Sequence, residues 1–246
     1  MKRHSSNRAA GALWLYGLHP VRAALANPRR RAHRAVLTEH AAAFLGRPLL
    51  GRTRFEIVPA EAVARCVPPG ATHQGAALQC DSLDSPRLED VLAGNSDKYR
   101  IVTVLDQIAD PHNVGAILRS SAAFGATAVV VQDRNAPQES GALAKAASGA
   151  LDIIPYVSVV NIARALEEMG KQGFWRIALA ADGEQQLPEI PPSGDVAIVL
   201  GSEGSGIRRL VRERCDSTAF IPVDPRMESL NVSNAAAIAL YALCRK

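Results

Sequence analysis

The chain has 246 residues, 48% hydrophobic and 21% charged, a globular composition long enough for one large domain or two modest ones and unlike that of a disordered chain. No apolar run approaches the roughly 18 residues that cross a bilayer, which excludes a membrane-spanning helix. Net charge is only +4, yet residues 1–54 carry eleven Lys and Arg against Glu39 alone, so the remainder is net acidic and the first part points to a polyanionic partner, with plain solubility charge as the alternative.

The N-terminal apolar patch Gly11–Leu18 is cut by His19-Pro20, too short for a signal peptide, while the basic, Ser-containing stretch before it leaves a transit peptide open. Pro20–Ala26 reads as a helix, broken by Asn27-Pro28. Ala35–Thr38 reads as a strand, Glu39–Leu45 as a helix stopping at Gly46, Phe55–Val58 as a strand, Ala60–Arg65 as a short helix, and Ala76–Cys80 as a third strand after Pro68-Pro69-Gly70. Short strands alternating with short helices predict a small α/β domain over 14–81, preceded by a basic tail, 1–13. Residues 82–99 are polar and turn-rich, with room for a short helix, and read as a linker.

Residues 100–246 form a longer α/β series. Ile101–Leu105 is a continuous apolar run, as in a strand buried on both faces of a parallel sheet. Helix Val114–Phe124, strand Ala128–Gln132, helix Glu139–Ala147, strand Ile153–Val157 and helix Ile162–Met169 follow. Strands Arg176–Ala180 and Val196–Leu200, helix Ile207–Arg214, strand Thr218–Val223 and helix Asn231–Leu243 complete a doubly wound pattern. Such sheets bind ligands beyond the carboxyl ends of their strands.

Three polar segments follow apolar strands. In Asp106–Arg119, Pro111 and Asn113 suit a helix start, Gly115 permits close approach, and Arg119 stands in an otherwise apolar helix. A solvated Arg119 on an outer face is the plain reading of that residue by itself. In Val196–Leu210, Gly201, Gly204 and Gly206 lead from a strand into a helix and suit an anion or nucleotide. The pattern is G-x-x-G-x-G, neither a P-loop nor the dinucleotide fingerprint, although Asp224 lies near the distance of a ribose-binding acid. Glu203 inside that loop is a site residue or a dipole-stabilising acid. In Ile221–Ala235, Ser229, Asn231, Ser233 and Asn234 crowd the start of an apolar helix, where Asn231 also suits an N-cap. Cys66, Cys80, Cys215 and Cys244 have no zinc or redox spacing and read as reduced thiols; the six histidines form no metal cluster.

In order and spacing, N-x-G-x-x-x-R at Asn113–Arg119, L-G-x-E-G-x-G at Leu200–Gly206 and S-L-N-V-S at Ser229–Ser233 resemble the SpoU/TrmH family of RNA 2′-O-ribose methyltransferases, within the SPOUT superfamily. The first domain, from Tyr16-Gly17-Leu18-His19-Pro20-Val21, is similar to the family's ribosomal-protein-like substrate-binding domain, a layout closest to bacterial 23S rRNA guanosine 2′-O-methyltransferases. The resemblance implies a C-terminal α/β trefoil knot, an S-adenosylmethionine pocket and a homodimer packed through the knotted domain. It implies main-chain cofactor contacts at Gly201, Ile221 and Leu230, with Leu200, Gly206 and Ser233 beside them. Arg119 is its catalytic residue, with Asn113, Glu203, Ser229 and Asn231 organising the site. The expected RNA contacts are Arg22, Arg29, Arg30, Arg31 and Arg34, with no metal and a cytoplasmic location.

Overall fold

Residues 12–94, 99–190 and 194–244 are described by the structure, a computed structural model. Most of the predicted tail, and residues 95–98 of the expected linker, lie outside those residues. Contacts divide the chain into two units, one running through Asp84 and including Glu139–Gly141, the other holding the rest.

In the first unit the elements run β1 (Leu13–Tyr16), α1 (Leu18–Ala26), β2 (Ala32–Leu37), α2 (Glu39–Leu45), α3 (Arg47–Leu50), β3 (Arg54–Ile57), α4 (Ala60–Ala64) and β4 (Ala76–Cys80). The sheet order is β1-β4-β2-β3, with β2 and β3 parallel and the other pairs antiparallel. Thr38 starts α2 by accepting from the Ala41 N–H at 3.3 Å, and Gly46 ends it at φ +75°. Strand β1 is an addition to the sequence reading: Leu15 and Tyr16 are buried where the run looked like a patch. Alternation puts Leu15, Ala35 and Leu78 on one buried face and Val36 and Ala77 on the other, where Val63 of α4 meets them.

Two of the basic residues serve this fold. Arg30, expected to contact RNA, is only 5% exposed, donates to the Asp81 carbonyl at 3.0 Å and pairs with Glu139. The reason is local: the Arg30 N–H bonds the Asn27 carbonyl in a turn that sends Arg29 and Arg31 outward and Arg30 inward. Arg30 is therefore withdrawn from the RNA-contact set. Arg52 donates to the Leu25 and Asn27 carbonyls and so satisfies the end of α1. Arg22, Arg29, Arg31 and Arg34 are exposed.

In the second unit the order is α5 (Leu88–Leu92), β5 (Ile101–Asp106), α6 (Pro111–Ala123), β6 (Ala128–Gln132), α7 (Gly141–Ala147), β7 (Tyr156–Val159), α8 (Ile162–Lys171), β8 (Trp175–Leu179), β9 (Gln185–Gln186), β10 (Val196–Gly201), α9 (Arg209–Arg212), β11 (Ser217–Phe220) and α10 (Val232–Cys244). Seven strands, every neighbouring pair parallel, lie in the order β7-β6-β5-β10-β8-β11-β9. All six residues of β5 are buried, because helices cover both faces. Val102, Val104, Val130 and Val199 pack with Leu166 and Met169 of α8 and Val211 of α9; Ile198, Ile177 and Ala219 share a cluster with Ala239, Leu240 and Leu243 of α10. Leu88 and Leu92 of α5 join the first cluster, so this part of the expected linker belongs to the second unit's core.

Several element limits move, two of them where the local chain shows why. The strand expected at Ile153–Val157 begins at Tyr156, after a 3-10 turn and Pro155, and the helix expected at Ile207–Arg214 contracts to Arg209–Arg212. Gly115 sits deep against α7: an added Cβ would lie 2.4 Å from Ala146 Cβ and 2.9 Å from backbone of Ala146 and Ala147. Arg119, four residues on along the same side of α6, is exposed, whereas Gly115 is buried against α7, where its smallness serves helix packing.

Candidate active site

Strand order reverses between β5 and β10. Strands β6 and β7 extend to one side, β8, β11 and β9 to the other, and a crevice beyond the carboxyl ends at such a reversal is where open parallel sheets bind ligands. In register, Asp106 ends β5 opposite Gly201, which ends β10.

Beyond these ends three segments meet. Asp110 caps α6 by accepting from the His112 N–H at 3.0 Å, which places Asn113 in the first turn. Glu203 comes from the loop after β10, and Asn231 precedes α10. One carboxylate oxygen, Glu203 Oε1, accepts from Asn231 Nδ2 at 2.7 Å, Asn113 Nδ2 at 3.3 Å and the Val232 N–H at 3.4 Å. Asn231 Nδ2 also donates to Asn113 Oδ1 at 3.1 Å. The Asn231 amide is oriented by Ser233, whose N–H and Oγ donate to Asn231 Oδ1 at 2.9 and 2.6 Å. Asn231 is thus both the N-cap of α10 and a member of this polar cluster, and Glu203 supports the start of α10, not of α9.

The glycine loop is closed at its base. Gly206 N–H donates to the Ser202 carbonyl at 2.9 Å, and the two residues form an isolated bridge. Gly204 and Gly206 have φ of +88° and +66°. A Cβ on Gly201 would stand 2.2 Å from the Gly206 carbonyl carbon, so only glycine lets the outgoing and returning chain touch there.

Arg119 and Ser229 stand outside this network. Arg119 is exposed, about 9 Å along α6 from Asn113, with no hydrogen bond or ion pair among the described residues. Ser229 is exposed in an irregular segment, while Ile221 and Leu230 are half-buried and Ile221 packs against the α10 side of the core. Asp224 makes a local pair with Arg226 at 2.9 Å on the surface, which removes it from a ribose-binding role beside the loop.

Asp106 and Arg208 are site neighbours that sequence reading missed. Asp106 is fully buried and accepts three bonds from Arg208. The only sequence sign was an acid ending an apolar strand. Gln107, next in the chain, has φ +61°, a left-handed backbone in a non-glycine residue at the strand end.

A model of the SpoU rRNA methylase family matches residues 100–241, and a model of RNA 2′-O ribose methyltransferase substrate binding matches residues 14–86. The chain is 41% identical over 177 residues to a 23S rRNA (guanosine-2′-O-)-methyltransferase, RlmB, from Coxiella burnetii, covering 71% of this chain and 70% of the relative. It is 34% identical over 241 residues to the RlmB of Vibrio vulnificus, covering 95% and 96%. The fold matches that of the SpoU methyltransferase AviRb from Streptomyces viridochromogenes, solved with AdoMet, at TM-score 0.81 and 19% identity over 99% of this chain and 93% of that one. An all-parallel sheet with a polar cluster at its reversal point, and an α/β unit before it, define a two-part RNA ribose methyltransferase. The chain belongs to the SpoU rRNA methylase family.

Proposed function

We propose that the chain transfers a methyl group from S-adenosylmethionine to the ribose 2′-hydroxyl of a guanosine in 23S rRNA. The observation that carries this reading is the meeting of Asn113, Glu203 and Asn231 at the sheet's reversal point, beside a loop that only glycine can close. That loop suits the cofactor, because exposed main chain at Gly201–Gly206 can approach an adenosyl group closely. Leu200, Ile221 and Leu230 supply half-buried or buried apolar neighbours from the ends of β10 and the segment after β11.

When bound, the sulfonium supplies an electrophilic methyl carbon. Taken by the ribose oxygen, that carbon would leave its sulfur behind in S-adenosylhomocysteine, and the hydroxyl proton would pass to a nearby acceptor such as the Glu203 carboxylate. Glu203, with Oε1 occupied by the two amides, keeps Oε2 for an incoming hydroxyl. Asn113 and Asn231 fix that carboxylate. Arg119 is a permanent cation, ill-suited to accept a proton. Its role is to hold an RNA phosphate and stabilise the developing alkoxide. Arg22, Arg29, Arg31 and Arg34 give the first unit salt-dependent affinity for RNA backbone, while the target is chosen by loop shape. No helix among the described residues is long and apolar enough to cross a membrane, and a cytoplasmic site of action goes with a ribosomal substrate.

Titration with S-adenosylmethionine is expected to show one-site binding, and ribose-methylation mapping of rRNA with and without the gene is expected to lose a single guanosine mark in 23S rRNA. A lost mark in tRNA, or none, overturns the assignment. A homodimer through the second unit fits the apolar residues Ile238 and Tyr241, 43% and 45% exposed one turn apart on α10, where Tyr241 also meets Phe124 at 5.9 Å. Tyr241→Lys is expected to sediment as a monomer and wild type as a dimer; a monomeric wild type sinks the dimer.

A further inference from the structure

Three ion pairs that join separate segments of the second unit share one geometry, in which a single aspartate accepts from the backbone N–H, Nε and Nη2 of one arginine. Arg100 and Asp195 make these bonds at 2.7, 2.9 and 2.5 Å. Arg176 and Asp216 make the first two at 2.8 Å each and the third as well. Arg208 and Asp106 make them at 2.9, 2.8 and 2.6 Å. The first two pairs lie toward the amino ends of the strands, where Arg100 precedes β5, Asp195 precedes β10 and Asp216 precedes β11. Arg226 and Asp224, two residues apart on the surface after β11, repeat the three bonds at 2.9 Å each as a local pair; of the pairs that join separate segments, only the third lies at the carboxyl ends of the strands.

The third pair also differs in burial. The Asp106 side chain is 0% exposed, against 21% for Asp195 and 37% for Asp216. A fully buried carboxylate needs all its partners, and here one residue supplies every bond recorded for it. What lies between the partners gives the pair its meaning. The chain leaves β10 at Gly201, in register with Asp106, passes through Glu203, touches itself at Ser202 and Gly206, and returns to Asp106 at Arg208. Asp106 therefore holds both ends of the glycine loop, one through the strand ladder and one through the guanidinium and backbone of Arg208. Arg208 itself is extended, at ψ 142°, and α9 begins at the next residue.

We propose that Asp106 and Arg208 are positioning residues that set the affinity of the loop for the methyl donor. The proposal rests on the functional reading above. It predicts a split between binding and chemistry, because neither residue belongs to the Asn113–Glu203–Asn231 cluster. With the full-length protein, calorimetric titration of S-adenosylmethionine into Asp106→Asn and Arg208→Lys is expected to give a Kd raised about tenfold, since charge-assisted bonds are lost from an otherwise closed loop. Turnover at saturating donor stays within about twofold of wild type, and KM for RNA is unchanged.

Asp195→Asn is the control. It breaks the same geometry at the other end of the same two strands, so it lowers Tm and leaves donor Kd at the wild-type value. If Asp106→Asn fails to fold, Arg208→Lys carries the test, since it keeps the charge that neutralises Asp106. Donor affinity unchanged in Arg208→Lys and in any folded Asp106→Asn overturns the proposal, as does equal weakening in Asp195→Asn. Wild-type protein that binds no S-adenosylmethionine overturns the functional reading instead, and is a separate outcome.

Discussion

Alanine at Arg119 is expected to slow methyl transfer by about 10²–10³-fold, the usual effect of removing one preorganised electrostatic group from a transition state. Donor affinity and Tm are expected to stay at wild-type values. The stability half follows from geometry, since the side chain is exposed and has no bond among the described residues, and such surface substitutions fall within about 0.5 kcal/mol. The rate half follows from the reaction. Charge builds on the ribose oxygen as the proton leaves, and the substrate brings its own phosphates to be held. Lysine at the same position keeps the charge and loses the planar fork, so Arg119→Lys is expected to retain part of the rate with an unchanged pH profile. An inflection in the Arg119→Lys profile that follows the new amine would assign the proton to this side chain. Wild-type turnover in Arg119→Ala would remove it from the reaction.

The parts of the fold legible in the sequence are those whose residues report their own burial. The strands at Ile101, Ala128 and Val196 are mostly apolar because helices cover both faces of the sheet, so a run of nearly consecutive apolar residues locates them. Strand β1 is four residues long and merges with the preceding apolar patch; it becomes a strand only by pairing with β4, more than sixty residues later. Strand β9 has two residues and owes its existence to β11. Ile207 and the apolar residues after it gave a helical period, but Arg208, bonded to Asp106 102 residues earlier, has an extended backbone at ψ 142°, and the helix begins after it.

The same distinction divides the site. Asn113, Glu203 and Asn231 were legible because each sits in a short polar segment after an apolar strand, and the structure brings all three onto one carboxylate oxygen. Arg30 misled because a run of three arginines reads as one charged surface, whereas a turn at Asn27 reverses the middle side chain. Asp106 was passed over because an acid at a strand end resembles any turn residue until its partner is placed. No local spacing rule joins residues that meet only through sheet register.

Gly201→Ala is expected to damage donor binding through a single added methyl group. Its Cβ would lie 2.2 Å from the Gly206 carbonyl carbon and 2.4 Å from both the Gly206 oxygen and the Ile207 nitrogen. All three are backbone atoms, so no side-chain rotation relieves the clash, and the returning limb of the loop must move. Overpacking of this kind costs about 1–3 kcal/mol of stability. Donor affinity should fall further than stability, because the displaced limb carries the main chain proposed to contact the adenosyl group. Gly204→Ala separates the two effects. Its φ of +88° makes any side chain strained, yet nothing lies within 4 Å of the added Cβ, so the strain stays at the tip of the loop. Calorimetric titration with S-adenosylmethionine is expected to show binding abolished in Gly201→Ala and weakened about tenfold or less in Gly204→Ala, at comparable losses of Tm. Equal donor affinity in the two variants would mean that closure at the base of the loop does not govern the pocket. Wild-type affinity in Gly201→Ala would place the cofactor elsewhere in the sheet.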